Sequence, residues 1–464
     1  MAIAVLSDTE ATTLSCIPAD DRHGWGFALL LTVVATLFLR PADIIPALNT
    51  WPVYQFLIVC ALLVSFRASF GQFAQPRLAD QPVTACLLVL LLAVGISHVS
   101  HGFIWGARAS MYEVSKLLAL YVLITGLVNT PRRLTFFIKW LTVAITIIAA
   151  LALLDRFDYI SIVALDSIQD HGSSQGGHET FIERIRGTGI FQDPNDFGLI
   201  LVTGLILCTS LLLAPRAGFL RYIWLVPAGV LLSALALTHS RGAMLSLLCA
   251  VPAALCYSRG GRWGGWLLLG LPLLSLVFSD RMTDVDSVYE GTGQSRLQIW
   301  SQSLAVWRQY PAFGLGEGLL ADEIGMVSHN SFLHCYAELG TLGGTAFLAS
   351  FLAAGLRLWS LRGHHSDQGF ADSAPQPSIE LSRLSGFVFA ALVAYAAGTL
   401  TISRQFVAPT YLILGLATAA AAQSVPARDV ARWRIDNRFL LVTLLSSAGS
   451  LLAFYLAVRM FVRW

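Results

Sequence analysis

Ser328-His-Asn-Ser331-Phe-Leu-His-Cys-Tyr-Ala-Glu338-Leu-Gly340-Thr-Leu-Gly-Gly344-Thr-Ala-Phe-Leu-Ala-Ser-Phe-Leu-Ala-Ala-Gly-Leu-Arg-Leu-Trp359 sets a polar quartet against a long apolar run. From Ser331 to Trp359 the only full charges are Glu338 and Arg357. The run exceeds the roughly 20 apolar residues that carry a helix across a bilayer. Its apolar residues are continuous rather than alternating, which predicts helices and not a membrane barrel. The whole chain fits that reading. It is 56% hydrophobic and only 12% charged, with a mean hydropathy of +0.67, and this excludes a soluble globular domain.

Working outward, similar runs recur along most of the sequence. Expected spans are Gly24–Leu39, Trp51–Phe66, Val83–Val99, Met111–Val128, Leu134–Leu154, Phe197–Ala214, Phe219–Leu237, Ala243–Tyr257, Gly264–Phe278, Ser331–Trp359, Leu384–Ile402, Phe406–Ala422 and Phe439–Val458. The expected fold is an all-α polytopic membrane protein with about 12–13 transmembrane helices. Residues 1–23 read as a cytoplasmic tail, since Asp8 and Glu10 stand where a signal peptide would be basic. Residues 24–462 form one helical membrane domain. The cysteines lie in or beside apolar runs and behave as small hydrophobes, with no metal spacing among them.

The distribution of charge predicts orientation. Arg132, Arg133 and Lys139, then Arg216 and Arg221, then Arg259 and Arg262, and finally Arg428, Arg432, Arg434 and Arg438 cluster in connections that alternate to one side. The positive-inside rule assigns that side to the cytoplasm. The two long loops fall on the other side. Residues 155–196 carry eight acids against three arginines, and residues 280–330 carry seven against three. Both are expected to be periplasmic. The Pro-containing stretch 363–382 reads as a cytoplasmic linker.

Several segments hold polar groups at the expected outer face. Arg184-Ile-Arg186-Gly-Thr-Gly-Ile-Phe-Gln-Asp193-Pro-Asn195-Asp196 runs into a span, with Asp193 before Pro194 predicting a helix cap and Asn195 given the same capping role. Ser240-Arg241-Gly242 interrupts two spans on that side. Leu297, Trp300, Leu304 and Trp307 make one apolar stripe, which either lies in the membrane interface or packs on the bundle, with Arg296 near its start. Glu113 and Lys116, three residues apart in an apolar helix, are expected to neutralise one another. Gly314-Leu-Gly-Glu-Gly318 follows no strand and is no nucleotide loop. Asp284-Val-Asp286 and His364-His365 are read as solvated loop residues rather than metal ligands.

Taken in order, Gly189-Ile-Phe-Gln-Asp-Pro-Asn195, Ser240-Arg-Gly242, Arg296 with Trp300, Pro311-Ala-Phe-Gly-Leu-Gly316, and His329-Asn330 followed by Glu338-Leu-Gly340 resemble the O-antigen ligase and polymerase superfamily of bacterial inner-membrane glycan transferases. The resemblance spans roughly residues 187–344. It implies a metal-independent, cofactor-free transferase of the C-type glycosyltransferase kind, working at the periplasmic face. The donor it implies is a glycan on undecaprenyl diphosphate, and the acceptor a further glycan or lipid A–core, with no nucleic-acid partner. Carried over by position, Arg186, Arg241 and Arg296 would hold the diphosphate, Asn330 would contact substrate, and His329 would be the general base.

Two other readings stay open at this point. A transporter or polysaccharide exporter would line an anion path with the same arginines, although no internal repeat of the kind common in transporters is visible. A protein-glycosylating branch of the same superfamily would differ only in its acceptor.

Overall fold

A computed structural model describes residues 24–44, 51–73, 78–171, 181–259, 292–362, 377–424 and 434–462. It is a helical bundle. In chain order the helices are α1 (Gly24–Leu39), α2 (Val53–Val64), α3 (Phe66–Phe70), α4 (Pro82–Val99), α5 (Ile104–Leu127), α6 (Pro131–Arg156), α7 (Pro194–Leu212), α8 (Leu225–Leu237), α9 (Arg241–Arg259), α10 (Thr292–Gln309), α11 (Leu320–Ile324), α12 (Ser331–Ser360), α13 (Pro377–Thr399), α14 (Ala408–Ser424) and α15 (Asn437–Phe461). Among the described residues, ten helices are long and apolar enough to cross a membrane, or eleven if the bent pair at Val53–Phe73 is one span. Twelve of the thirteen expected spans fall on helices. The thirteenth, Gly264–Phe278, lies outside the described residues. Helix α13 begins at Pro377, inside the stretch read as linker.

Local chemistry explains where many helices start. Proline occupies the first turn of α4, α6 and α7, where a missing N–H costs nothing. Thr130, Asp193, Asn330 and Asp436 cap α6, α7, α12 and α15 through side-chain oxygens. Among the described residues the strands form one short antiparallel ribbon, β1 (Ile168–His171) with β2 (Phe181–Arg184), in which Ile168 pairs with Arg184.

Helix α12 sits at the centre, packed on α4, α10, α13, α14 and α15, while α7 is enclosed by α6, α8, α9 and α13. Tyr121, Tyr336, Tyr411, Phe137 and Phe347 fill the core between them. By contrast, the apolar faces of α8 and α15 are mostly exposed, with 17% of each apolar stretch buried against 78% for α7. A large outward apolar surface of this kind suits a lipid environment.

Helix α12 is broken. At Gly340 the backbone turns to φ 64, ψ −165. The gap is filled by the segment 311–316: Leu315 N–H donates to the Ala337 carbonyl (3.1 Å), Gly316 N–H to the Glu338 carbonyl (2.9 Å), and Thr341 N–H to the Pro311 carbonyl (2.8 Å). The freed helix carbonyls are thus satisfied by another piece of chain, as a break at this depth requires. A Cβ on Gly340 would overlap the Ala312 carbonyl, and one on Gly314 (φ 76) would overlap the Glu338 carbonyl. Gly340→Ala is therefore expected to cost about 2 kcal/mol or more, from left-handed strain plus the overlap. Melting in detergent and limited proteolysis of residues 310–330 would measure it. Unchanged melting and protection would refute a tight interlock.

Candidate functional site

The chain direction brings the connections after α1, α4, α6, α8, α10 and α13 to one end of the bundle, and hydrogen bonds tie them together there. Gly189 N–H donates to Asp43 (2.7 Å) and Thr188 to the Phe38 carbonyl (2.9 Å). Ser331 Oγ donates to the Ile402 carbonyl (2.7 Å) and accepts from Arg404 N–H (2.8 Å). The site is built on this end.

Asp193 caps α7 as expected, accepting from Asn195 N–H (2.7 Å) and Asp196 N–H (3.3 Å). Asn195 does not cap. Its Oδ1 accepts from Arg184 Nη2 (2.9 Å) and from Ser240 Oγ (2.9 Å), so it joins β2, α7 and the turn before α9. The sequence signal for a cap is the same at both positions, and only the approach of Arg184 and Ser240 separates their roles. Arg184 Nε also donates to the Thr238 carbonyl (2.9 Å).

Arg241 opens α9 and Arg296 lies in the first turns of α10. The charges felt by the half-buried Arg296 are those of Arg241, Arg184 and Asp193. Arg296, Arg241 and Arg184 therefore share one neighbourhood, with Asp193 as its negative partner. Burial, followed by the two neighbouring guanidinium groups, lowers the pKa of Arg296 from its ordinary value. Arg186 is half-buried two residues beyond Arg184, and its enclosed Nε has no partner among the described residues. The stripe Trp300–Trp307 packs on the bundle: Trp300 meets Phe454 edge-on at 5.8 Å, and Trp307 Nε1 donates to Thr341 (3.2 Å).

His329 precedes the cap of α12 and adopts a left-handed backbone, φ 49, a conformation that costs a side-chain-bearing residue of order 1 kcal/mol. Burial first, then Arg296, and further Arg404 and His334, push its pKa below the ordinary value, while Asp193 opposes them. The causes of the lowering are desolvation and the neighbouring cations. Asn330 is fully buried, and its Oδ1 is spent on Phe332 N–H (3.1 Å) and Leu333 N–H (3.2 Å). Its Nδ2 is enclosed without a partner among the described residues.

Two groups were not singled out from the sequence. Arg404, in the α13–α14 turn, forms a two-pronged pair with the buried carboxylate of Asp196. The signal was present, since Ser403-Arg404 repeats the Ser240-Arg241 pattern of an arginine in a short turn between spans. His334, one turn into α12, bonds Glu338 Oε1 (2.9 Å) through Nε2 and Ser403 Oγ (2.9 Å) through Nδ1. Glu338 also accepts from Leu320 N–H (3.2 Å), so the pair anchors the loop between α10 and α12.

A cavity of about 790 Å³ opens at the same end, lined by Arg40, Trp51, Tyr54, Glu113, Lys116 and Glu317 among others. Glu113 and Lys116 pair at 2.6 Å as expected. Burial, followed by the charge of Glu338, raises the Glu317 pKa, against a hydrogen bond from Ser110 that lowers it. Ile190 and Val407 line both this cavity and a small hollow against Arg404 and Asp196.

Residues 226–348 match the family model described as O-antigen ligase. This stretch, about a quarter of the chain, is similar to the O-antigen ligase family. The matched stretch holds Arg241, Arg296, His329, Asn330 and the Gly340 break, whereas Arg184, Arg186 and Arg404 come from outside it. At family level the match supports a membrane glycan ligase or polymerase working on lipid-linked glycans. Comparison with curated proteins finds no match.

Proposed function

We propose that this ligase-family protein transfers a glycan from undecaprenyl diphosphate to an acceptor sugar hydroxyl at the periplasmic face of the bacterial inner membrane, without a metal, as an O-antigen ligase or a polysaccharide polymerase. The observation that carries the reading is the shared neighbourhood of Arg184, Arg241, Arg296 and His329 at one end of the bundle. A diphosphate needs several planar fork donors, and arginine keeps its charge even when partly buried. Arg186, whose Nε has no partner among the described residues, belongs to the proposed set, as does Asn330 through its Nδ2.

In the proposed step the acceptor oxygen attacks the anomeric carbon of the donor sugar. The bond from that carbon to the diphosphate oxygen breaks, and undecaprenyl diphosphate leaves with its electron pair. The acceptor proton passes to His329. Charge grows on the departing diphosphate, where fixed guanidinium groups stabilise it more in the transition state than in the ground state. The lowered pKa of His329 keeps the imidazole neutral and able to take the proton near pH 7. The adjoining cavity, with aromatic rings beside paired charges, is of a size and chemistry suited to a sugar chain.

The test is direct. Purified protein in lipid vesicles, given undecaprenyl-diphosphate-linked glycan and either lipid A–core or a second lipid-linked glycan, should form a new glycosidic bond in the presence of a metal chelator. Movement of glycan across the vesicle without bond formation would point to the exporter. Transfer only to a protein acceptor would point to the protein-glycosylating branch.

A further inference from the structure

The opposite end of the bundle holds a second, chemically different site. A groove of about 680 Å³ runs between α7, α9 and α13, with mostly apolar walls that include Leu213, Leu247 and Val251. At its end farthest from His329 it meets Tyr257 on α9, Arg383 on α13 and Arg362 just past the end of α12. The Arg383 Nη1 donates to the Ser210 carbonyl. Its Nε and Nη2 are enclosed and have no partner among the described residues, and the same holds for the Tyr257 hydroxyl. Glu380, one turn earlier on α13, contributes a nearby charge but bonds neither nitrogen. Arg362 is held ready beside them: its Nη1 donates to the Cys256 carbonyl (3.0 Å), and its guanidinium stacks 4.2 Å above Trp359.

Enclosed donors without acceptors are costly and rare, and each calls for an acceptor, a ligand or an ordered water. Three such donor atoms on two helices line a single groove, and all of them call for an acceptor. The walls behind them are apolar, so the ligand pairs an anionic head with a hydrocarbon tail. We propose that this groove binds an anionic phospholipid, with its phosphate on Arg383 and Tyr257, Arg362 alongside, and its acyl chain lying between α7 and α9. Basic pockets between membrane helices on the positively charged side are suited to such headgroups. The inference is independent of the proposed transfer reaction.

The full-length protein in detergent, titrated with phosphatidylglycerol or phosphatidylcholine and read by native mass spectrometry, provides the test. Phosphatidylglycerol should bind about tenfold more tightly than phosphatidylcholine, and Arg383→Gln should remove about tenfold of that affinity. Tyr257→Phe keeps the ring that packs on Gly386 and Phe389 and deletes only the hydroxyl. It should weaken phosphatidylglycerol binding several-fold, and it decides the matter if Arg383→Gln does not fold. Equal binding of the two lipids, or a folded Tyr257→Phe or Arg383→Gln protein that binds phosphatidylglycerol as the parent does, would overturn the proposal. Displacement of phosphatidylglycerol by equimolar inorganic phosphate would overturn it too, by assigning the site to a free anion.

Discussion

His329→Ala should yield a folded protein that still binds lipid-linked glycan and transfers it about 10²–10⁴-fold more slowly, the usual cost of removing a general base. Folding should survive because Asn330, not His329, caps α12, and Ala at a left-handed position adds only modest strain. The pH profile of the parent protein supplies a second readout. With His329 as the proposed base, neutral imidazole is the active form, so activity should fall as pH drops through the His329 pKa. Burial and the neighbouring cations hold that pKa below the ordinary 6.5, so the acid limb should lie below pH 6.5. If His329 only shapes the loop, the variant will keep its turnover and lose stability, and the base assignment fails.

Arg296→Gln should reduce transfer by about 10²–10³-fold, as expected for one preorganised charge donor in a partly desolvated site. Arg296→Lys keeps the charge but loses the fork, and should recover only part of that loss. Arg296 also lowers the His329 pKa. Its removal should therefore raise that pKa and move the acid limb of the residual activity to higher pH. An arginine that merely propped α10 against α12 would not shift the limb. Reduced activity with an unmoved pH profile would separate Arg296 from the base.

The membrane helices were legible because each buries a continuous apolar run, a signal that needs no knowledge of neighbours. The expected span Gly24–Leu39 coincides with α1 at both ends. Where polar residues enter, the reading falters. Helix α5 begins at Ile104, seven residues before the expected Met111, because Arg108 lies in that first part and stacks on Trp105 (4.8 Å). The span Trp51–Phe66 covers α2 but ends where the chain bends by 83° into Phe66–Phe73, with Ser65 at the junction. The site was legible as a set of arginines near His329, but not in its connections. Arg184 stands in the neighbourhood of Arg296 because the β1–β2 ribbon and Asn195 hold it there. Arg404 pairs with Asp196, over two hundred positions away in sequence. Partnerships of that range depend on how helices assemble, and residue spacing carries no trace of them.

The interlock between Pro311–Gly316 and the Gly340 break also sets the unit in which this end of the molecule can be exchanged. A chimera that took the α10–α12 connection from one homologue and α12 from another would pair a foreign loop with a helix whose open carbonyls expect a particular backbone path. The hydrogen bonds at Ala337, Glu338 and Thr341 would be lost together, and with them the placement of everything between, including His329. The smallest graft that keeps this junction whole runs from Tyr310 to Leu342. An engineer seeking a new acceptor preference would therefore move that piece as a block, and leave Arg184, Arg404 and the rest of the receiving scaffold in place.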